Sequence, residues 1–146
     1  MKVLKLSTND VSGGAGRAAY RLHRGLRSSG INSRMLVQRK DSDDESVYGS
    51  TGTLGKVYST VRSRLDQLPT KRYRNRDSEV FSPAWLPERR AKQITAHDPD
   101  IVHLHWITGG FLSVDTIKQL DAPVVWTIHD MWPFTGGCHY SKSCRK

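Results

Sequence analysis

Cysteine is nearly absent from this 146-residue chain. Its two cysteines, Cys138 and Cys144, cannot build a disulfide framework. That excludes the small disulfide-stapled secreted scaffolds and makes a cytoplasmic setting the expectation. No apolar run approaches the roughly 18 residues of a membrane-crossing helix. The apolar stretch in Met1-Lys2-Val3-Leu4-Lys5-Leu6-Ser7 is too short for a secretory leader. Internal repeats are lacking too, which sets solenoids and propellers aside. Hydrophobic residues make up only 36%, yet four tryptophans argue against a disordered chain. The length fits about one domain with one ordinary core.

Acidic residues are scarce, 14 against 23 basic ones, for a formal net charge of +9. The excess is confined to the first part of the chain. Residues 1–55 carry 9 basic and 5 acidic side chains, residues 56–92 carry 10 and 4, and residues 93–146 carry 4 and 5. A basic first half calls for an anionic partner: nucleic acid, a phosphorylated substrate or a membrane surface.

Lys2 to Leu6 alternates basic and apolar residues, as a short strand does, before Ser7-Thr8-Asn9-Asp10. A glycine-rich turn follows, with Gly13, Gly14 and Gly16. Ala15, Ala19, Leu22 and Leu26 then recur at helical spacing, and Gly30 ends the helix. Arg34 to Gln38 forms the next strand, completing a βαβ unit. After an acidic loop over 41–46, the apolar positions Leu54, Val57, Tyr58, Val61, Leu65 and Leu68 mark an amphipathic helix. Its polar face carries Lys56, Arg62 and Arg64. Lys71 to Arg76 is a basic loop, Pro83 and Pro87 frame a connector, and a helix is expected from Glu88 to His97.

Ile101 to Trp106 is a strand, Ser113 caps a short helix to Gln119, and Pro123 to His129 is a continuous apolar strand of the kind buried on both faces. Strands alternating with helices predict an α/β fold, a Rossmann-like doubly wound parallel sheet. The chain stops at Arg145-Lys146 after a loop of glycine, cysteine and aromatic residues, and so reads as cut short.

In such sheets ligands sit at the carboxyl ends of the strands. Three segments fall there. In the first, the backbone at Gly13, Gly14 and Gly16 approaches a ligand closely, the following helix start suits a phosphate, and Arg17 adds a charged donor. The bland alternative is a βα turn that needs glycine only for its shape. Gly14-Ala15-Gly16-Arg17-Ala18-Ala19 also matches the dinucleotide pattern G-x-G-x-x-G/A. However, about six residues separate Leu6 from Gly13, and the second strand runs into Gln38-Arg39-Lys40 without an acidic residue for a ribose. An NADP-type oxidoreductase domain, using Arg39, stays open.

The second segment brings histidines. His103 and His105 share one face of their strand by the period of two, and His129 ends the neighbouring strand beside Asp130. Imidazole there donates to a sugar hydroxyl or a phosphate, or moves a proton; packed structural histidines are the alternative. The third segment, Trp132 to Tyr140, sets aromatic rings beside glycines, a surface on which a sugar ring stacks. Cys138, His139 and Cys144 raise the question of zinc, but Cys-x5-Cys is not a usual zinc spacing and a fourth ligand is missing, so no metal site is expected. The basic helix and loop have a solvated charged surface as their plain reading. No nucleic-acid motif accompanies Tyr73, Arg74 and Arg76, so no nucleic-acid partner is expected. A non-catalytic module binding anions or a membrane is a second open reading.

Val3 to Thr8 followed by Gly13 to Ala19 resembles the opening of family 4 (group 1) glycosyltransferases of the GT-B fold. Asp98 to Trp106 resembles their D-P-D-hydrophobic-V-H-x-H strand, and Pro123 to Asp130 their P-V-V-x-T-x-H-D strand. Met131 to Tyr140 is similar to a subgroup acting in bacterial surface-polysaccharide synthesis. The resemblance implies that residues 1–146 are the N-terminal, acceptor-side domain of a hexosyltransferase. It also implies a retaining transfer from a nucleotide-sugar donor to a glycan or to a lipid-linked, phosphorylated acceptor, with no required cofactor.

Carried over by position, Gly13, Gly14, Gly16 and Arg17 face the donor diphosphate. His129 is the catalytic-site histidine at the donor sugar, and His105, Trp106 and Asp130 line the acceptor side. The basic helix and loop suit peripheral contact with an anionic membrane at the inner face of the plasma membrane. The family's C-terminal donor-binding domain has no counterpart in these residues, so the chain is expected to be inactive alone. Further cysteines usually follow this tail in the related subgroup, which leaves a zinc or disulfide partner for Cys138 and Cys144 as an implication.

Overall fold

A computed structural model describes residues 1–72 and 80–140. The element order is β1 (Lys2–Asn9), α1 (Gly13–Ser28), β2 (Asn32–Arg39), β3 (Val47–Ser50) and α2 (Gly52–Asp66). A 3-10 turn over Leu68–Arg72 follows, then α3 (Arg90–Ala96), β4 (Ile101–Leu104), α4 (Val114–Lys118), β5 (Val124–Trp126) and α5 (Trp132–Thr135). The five strands form one sheet in the order β3-β2-β1-β4-β5, and every pairing is parallel. With helices packed on this sheet, the fold is α/β and Rossmann-like, as expected. The order reverses at β1, whose neighbours β2 and β4 lead away in opposite directions, and this switch point opens a crevice at the strands' carboxyl ends.

The two faces of the sheet have different chemistry. Leu4, Leu6, Val102 and Leu104 point into one core with Ile94, Ile107, Phe111 and Leu112. The alternate residues Lys5, Ser7, His103 and His105 occupy the other face by the strand period of two. On that face α1 covers a smaller core of Ala19, Met35, Val37 and Val47.

Local signals explain the ends of the helices. Gly30 has φ +79, and the amides of Gly30 and Ile31 donate to Arg27 and Leu26, a Schellman stop to α1. The Ser113 hydroxyl accepts the Thr116 amide at 3.2 Å and caps α4.

Several expectations change. β1 runs to Asn9 rather than to Leu6, because the Thr8 amide continues the sheet by donating to Trp106 O at 2.7 Å. Only Asp10, Val11 and Ser12 then precede Gly13, which removes the spacing objection to a dinucleotide-type loop. β3 was not legible in the sequence. α1 buries Gly16, Ala19 and His23, whereas Leu22 is exposed. The inward face is thus rotated by about one residue from the expected Ala15-Ala19-Leu22 stripe. His23 is accommodated because its Nδ1 and Nε2 each lie 2.8 Å from a serine hydroxyl, those of Ser33 and Ser46. β5 spans three residues and not seven. It lies at the sheet edge, with Val124 and Val125 exposed rather than buried on both faces.

The largest departure is α2. All six of its expected apolar positions, Leu54 to Leu68, are 42–85% exposed. The helix instead turns small and polar residues to the sheet. A Cβ on Gly55 would stand 2.7 Å from the Ser50 carbonyl carbon, and Gln38 Nε2 donates to Ser59 O at 3.3 Å. So close an approach leaves no room for leucine on the inner side.

Candidate functional site

The crevice at the switch point is a cleft of about 550 Å³. One wall is the carboxyl end of β1 and the first turn of α1, from Ser7 to Gly16. The other is made by Trp106, His129, Asp130, His139 and Tyr140. Of the residues expected at a site, Gly13, Gly14, Gly16, Trp106, His129 and Asp130 meet here. Arg17 is exposed on α1 outside the lining, and His105 lies behind His129.

Backbone bonding assembles the cleft. Thr8 Oγ1 donates to Trp106 O at 3.0 Å and to Thr108 O at 2.8 Å, tying the end of β1 to the loop after β4. The buried Asp10 carboxylate accepts the amides of Val11, Asp41 and Ser42 at 2.8–3.2 Å, fixing the loop after β2 beside the glycine turn. Those bonds to its anionic form outweigh burial and hold Asp10 below the usual carboxylate range.

The glycines divide by role. Gly13 has φ +70, a left-handed conformation that favours glycine, and a Cβ there would meet nothing within 4 Å. Gly14 is exposed and equally open. A Cβ on Gly16, by contrast, would lie 2.9 Å from Asn9 O and 3.1 Å from Asp10 O. Gly16 therefore lets α1 pack against the end of β1, and Gly13 and Gly14 leave the backbone open to the cleft. The first turn of α1 contains no acidic residue, and Ser12 makes no side-chain cap bond. Its hydroxyl donates to Asp41 at 3.2 Å, and Asp41 is paired with Arg39 at 2.9 Å. Among the described residues no side chain caps the amides at this helix end, and the helix dipole favours an anion there.

Behind the opposite wall runs a ladder of side chains on one sheet face. Lys5 Nζ lies 3.2 Å from His103 Nδ1, and His103 Nε2 is 2.8 Å from Thr127 Oγ1. The His103 and His105 rings stack at 4.4 Å, and His105 Nδ1 is 3.0 Å from His129 Nε2. Burial lowers Lys5 to about 8. Burial first, and then the Lys5 charge, lowers His103 to about 4. Burial first, and then His103, lowers His105 to about 3. At neutral pH the ladder is two neutral imidazoles beside one buried ammonium. The sequence signal for Lys5 is its place in Leu4-Lys5-Leu6, where a strand covered on both faces carries the lysine inside.

Asp130 and His139 form a second network. Trp106 Nε1 donates to Asp130 Oδ2 at 2.8 Å, and His139 Nδ1 lies 2.5 Å from the same oxygen. His139 Nε2 is 2.9 Å from Ser82 Oγ, and the Asp130 Oδ1 atom accepts the Trp132 amide at 3.0 Å. Ser82, His139 and Asp130 have the bonding order of a nucleophilic triad. Ser82, however, is 4% exposed and off the cleft wall, so a substrate does not reach it. The trio anchors the loop after β5 to the connector before α3. His139, one of the three residues that raised the question of zinc, serves this clamp.

Cys138 has intermediate exposure, and Cys144 lies outside the described residues, as do Tyr73 to Arg76. Among the described residues no group of three or more His, Cys, Asp or Glu is placed to hold a metal ion. No helix among them is long and apolar enough to cross a membrane.

Residues 12–145 match the family model described as Glycosyltransferase Family 4. No curated protein matches the chain, and no solved structure does.

Proposed function

Because the chain belongs to glycosyltransferase family 4, we propose that its cleft is one wall of a sugar-transfer site. The donor is a nucleotide sugar, and the transfer is retaining. The acceptor is a glycan or a lipid-linked, phosphorylated molecule, of the kind used in bacterial surface-polysaccharide synthesis. In this reading the domain is the N-terminal half of a GT-B pair, and a second domain facing the cleft holds the nucleotide.

The observation that carries the reading is the meeting of α1's first turn with His129 across one cleft at the β1/β4 switch point. Gly13 and Gly14 receive the donor diphosphate through their backbone, where two or three N–H groups and the helix dipole offset its charge. His129 contacts the donor sugar, the reacting group, and so stands as the catalytic residue. Trp106 and Asp130 face the acceptor, with the indole fixed edge-on by its bond to the carboxylate. Gly16 and Arg17 contribute through packing and long-range charge. No protein-bound cofactor takes part. The family match lends nothing to an NADP-binding oxidoreductase or to a non-catalytic anion- or membrane-binding module.

Titration of the ¹⁵N-labelled chain with UDP, GDP, pyrophosphate and NADPH tests this. Amide shifts centred on Gly13 and Gly14 with a nucleoside diphosphate or pyrophosphate are expected. Shifts confined to another surface, or seen only with NADPH, refute it.

A second reading concerns the outer surface. The exposed apolar stripe of α2 is flanked by Lys56, Arg64, Lys71 and Arg72, and the one acidic residue of the helix, Asp66, is buried. An apolar stripe with a cationic border lies well in the interface of an anionic bilayer. This supports peripheral membrane contact, which would bring a lipid-linked acceptor towards the cleft.

A further inference from the structure

His105 and His129 meet nitrogen to nitrogen, and which of them carries the hydrogen decides what the cleft is offered. His105 Nδ1 and His129 Nε2 are 3.0 Å apart, with ring centroids 5.3 Å apart. The remaining nitrogen of His105, Nε2, is buried and has no partner among the described residues. His105 is 3% exposed, and burial keeps its ring neutral.

Two arrangements satisfy the contact. If His129 donated from Nε2, His105 Nδ1 would accept, and the only hydrogen of His105 would sit on Nε2. That would bury an N–H with no acceptor. If His105 donates from Nδ1, what stays buried on Nε2 is a bare lone pair. Orphaned buried N–H groups are the rarer and costlier of the two. The neighbouring rung holds His105 in place without competing for its nitrogens. Lys5 donates to His103 Nδ1, so the His103 hydrogen sits on Nε2 and goes to Thr127 Oγ1, and the His103 ring only stacks on His105.

We infer that His105 is a positioning residue, which holds His129 as its Nδ1–H tautomer so that the exposed imidazole meets the cleft as a hydrogen-bond donor. This deepens the reading of His129 as the residue that touches the donor sugar. With Nε2 occupied by His105, Nδ1 is the only ring nitrogen left, and it has no partner among the described residues. A donor at Nδ1 is matched to an acceptor oxygen, a sugar hydroxyl or a phosphoryl oxygen. It is unsuited to taking a proton from an attacking hydroxyl. His129 thus binds and orients.

The tautomer is read directly from two-bond ¹H–¹⁵N correlations of histidine-labelled protein near pH 7.5, with no ligand present. For the wild type the Nδ1–H pattern is expected at His129. In His105→Phe the donor is gone, and His129 is expected to move to the Nε2–H form that imidazole side chains prefer in water. His105→Gln, whose amide retains a donor, is expected to keep the wild-type pattern. An Nε2–H pattern in the wild type overturns the inference, as does an unchanged pattern in His105→Phe. If His105→Phe does not fold, the wild-type spectrum alone decides. The readout needs no nucleotide, so failure of nucleotide binding would remove the proposed function and leave the tautomer result standing.

Discussion

Alanine at Gly16 and alanine at Gly14 are one methyl group each, two residues apart in the same helical turn. The structure separates their effects. At Gly16 the new Cβ would stand 2.9 Å from Asn9 O and 3.1 Å from Asp10 O, both backbone atoms that have no rotamer to change. Ordinary contact begins near 3.4 Å, so α1 must withdraw from the end of β1 by a few tenths of an ångström. Overpacking of this kind costs about 1–3 kcal/mol. The helix-propensity gain of alanine over glycine, up to about 1 kcal/mol, offsets part of it. At Gly14 nothing lies within 4 Å, so only the gain remains.

The propensity term is common to both variants, so the difference between them is the clash itself, about 1–3 kcal/mol. With a urea m-value of about 1–3 kcal/mol/M, Gly16→Ala should unfold at a midpoint roughly 1 M below that of Gly14→Ala. Coincident midpoints, or a more stable Gly16→Ala, would refute the assignment of Gly16 to packing. The ligand response should be the reverse. Gly14→Ala puts its methyl into the cleft and should weaken nucleoside diphosphate binding at unchanged stability.

Acid should destabilise the protein well above the carboxylate range. His103 and His105, at about 4 and 3, and the buried His23, also lowered by burial, take up protons in the unfolded chain near 6.5 but not in the fold. Between those values the unfolded state binds more protons, so stability is fully present above about pH 6.5 and falls as the pH drops. Each histidine adds up to about 1.4 kcal/mol per pH unit. For the stacked pair that is a loss of about 2–4 kcal/mol by pH 5, and equal urea midpoints at pH 7 and pH 5 would contradict it. Lys5 changes charge only near pH 8 and above, outside this window. At the outer surface, co-sedimentation with anionic vesicles should exceed that with neutral ones. Leu54→Ser/Val57→Ser, two changes at exposed positions, should reduce it severalfold without lowering the urea midpoint. Equal binding to both lipids would remove the membrane reading.

Much of the fold was legible because its signals are local. The glycine turn after a basic-apolar strand, the stop at Gly30 and the cap at Ser113 depend on residues within one or two turns of each other. The cleft was legible in outline for the same reason: Gly13, Gly14, Trp106, His129 and Asp130 all sit where a parallel strand ends. What periodicity does not report is which face of an element finds a neighbour. On α2 the apolar stripe read as a core face. The sheet below it demanded an approach so close that Gly55 and Ser59 went inside and Leu54 outside. On α1, His23 took the inner place of Leu22 because two serine hydroxyls from β2 and from the turn before β3 waited for its nitrogens.

By itself the sequence determined the alternation of strands and helices, the glycine turn and the residues at the strand ends, since chain geometry and side-chain period act over a few residues. Only the tertiary structure decided the strand order. That order sets β1 beside β4, bringing Gly13 across from His129, more than a hundred residues away, and Lys5 against His103. Burial and stacking then turned His103 and His105 into a neutral pair beside the Lys5 ammonium. That outcome depends on which groups lose water together, and no single segment carries it.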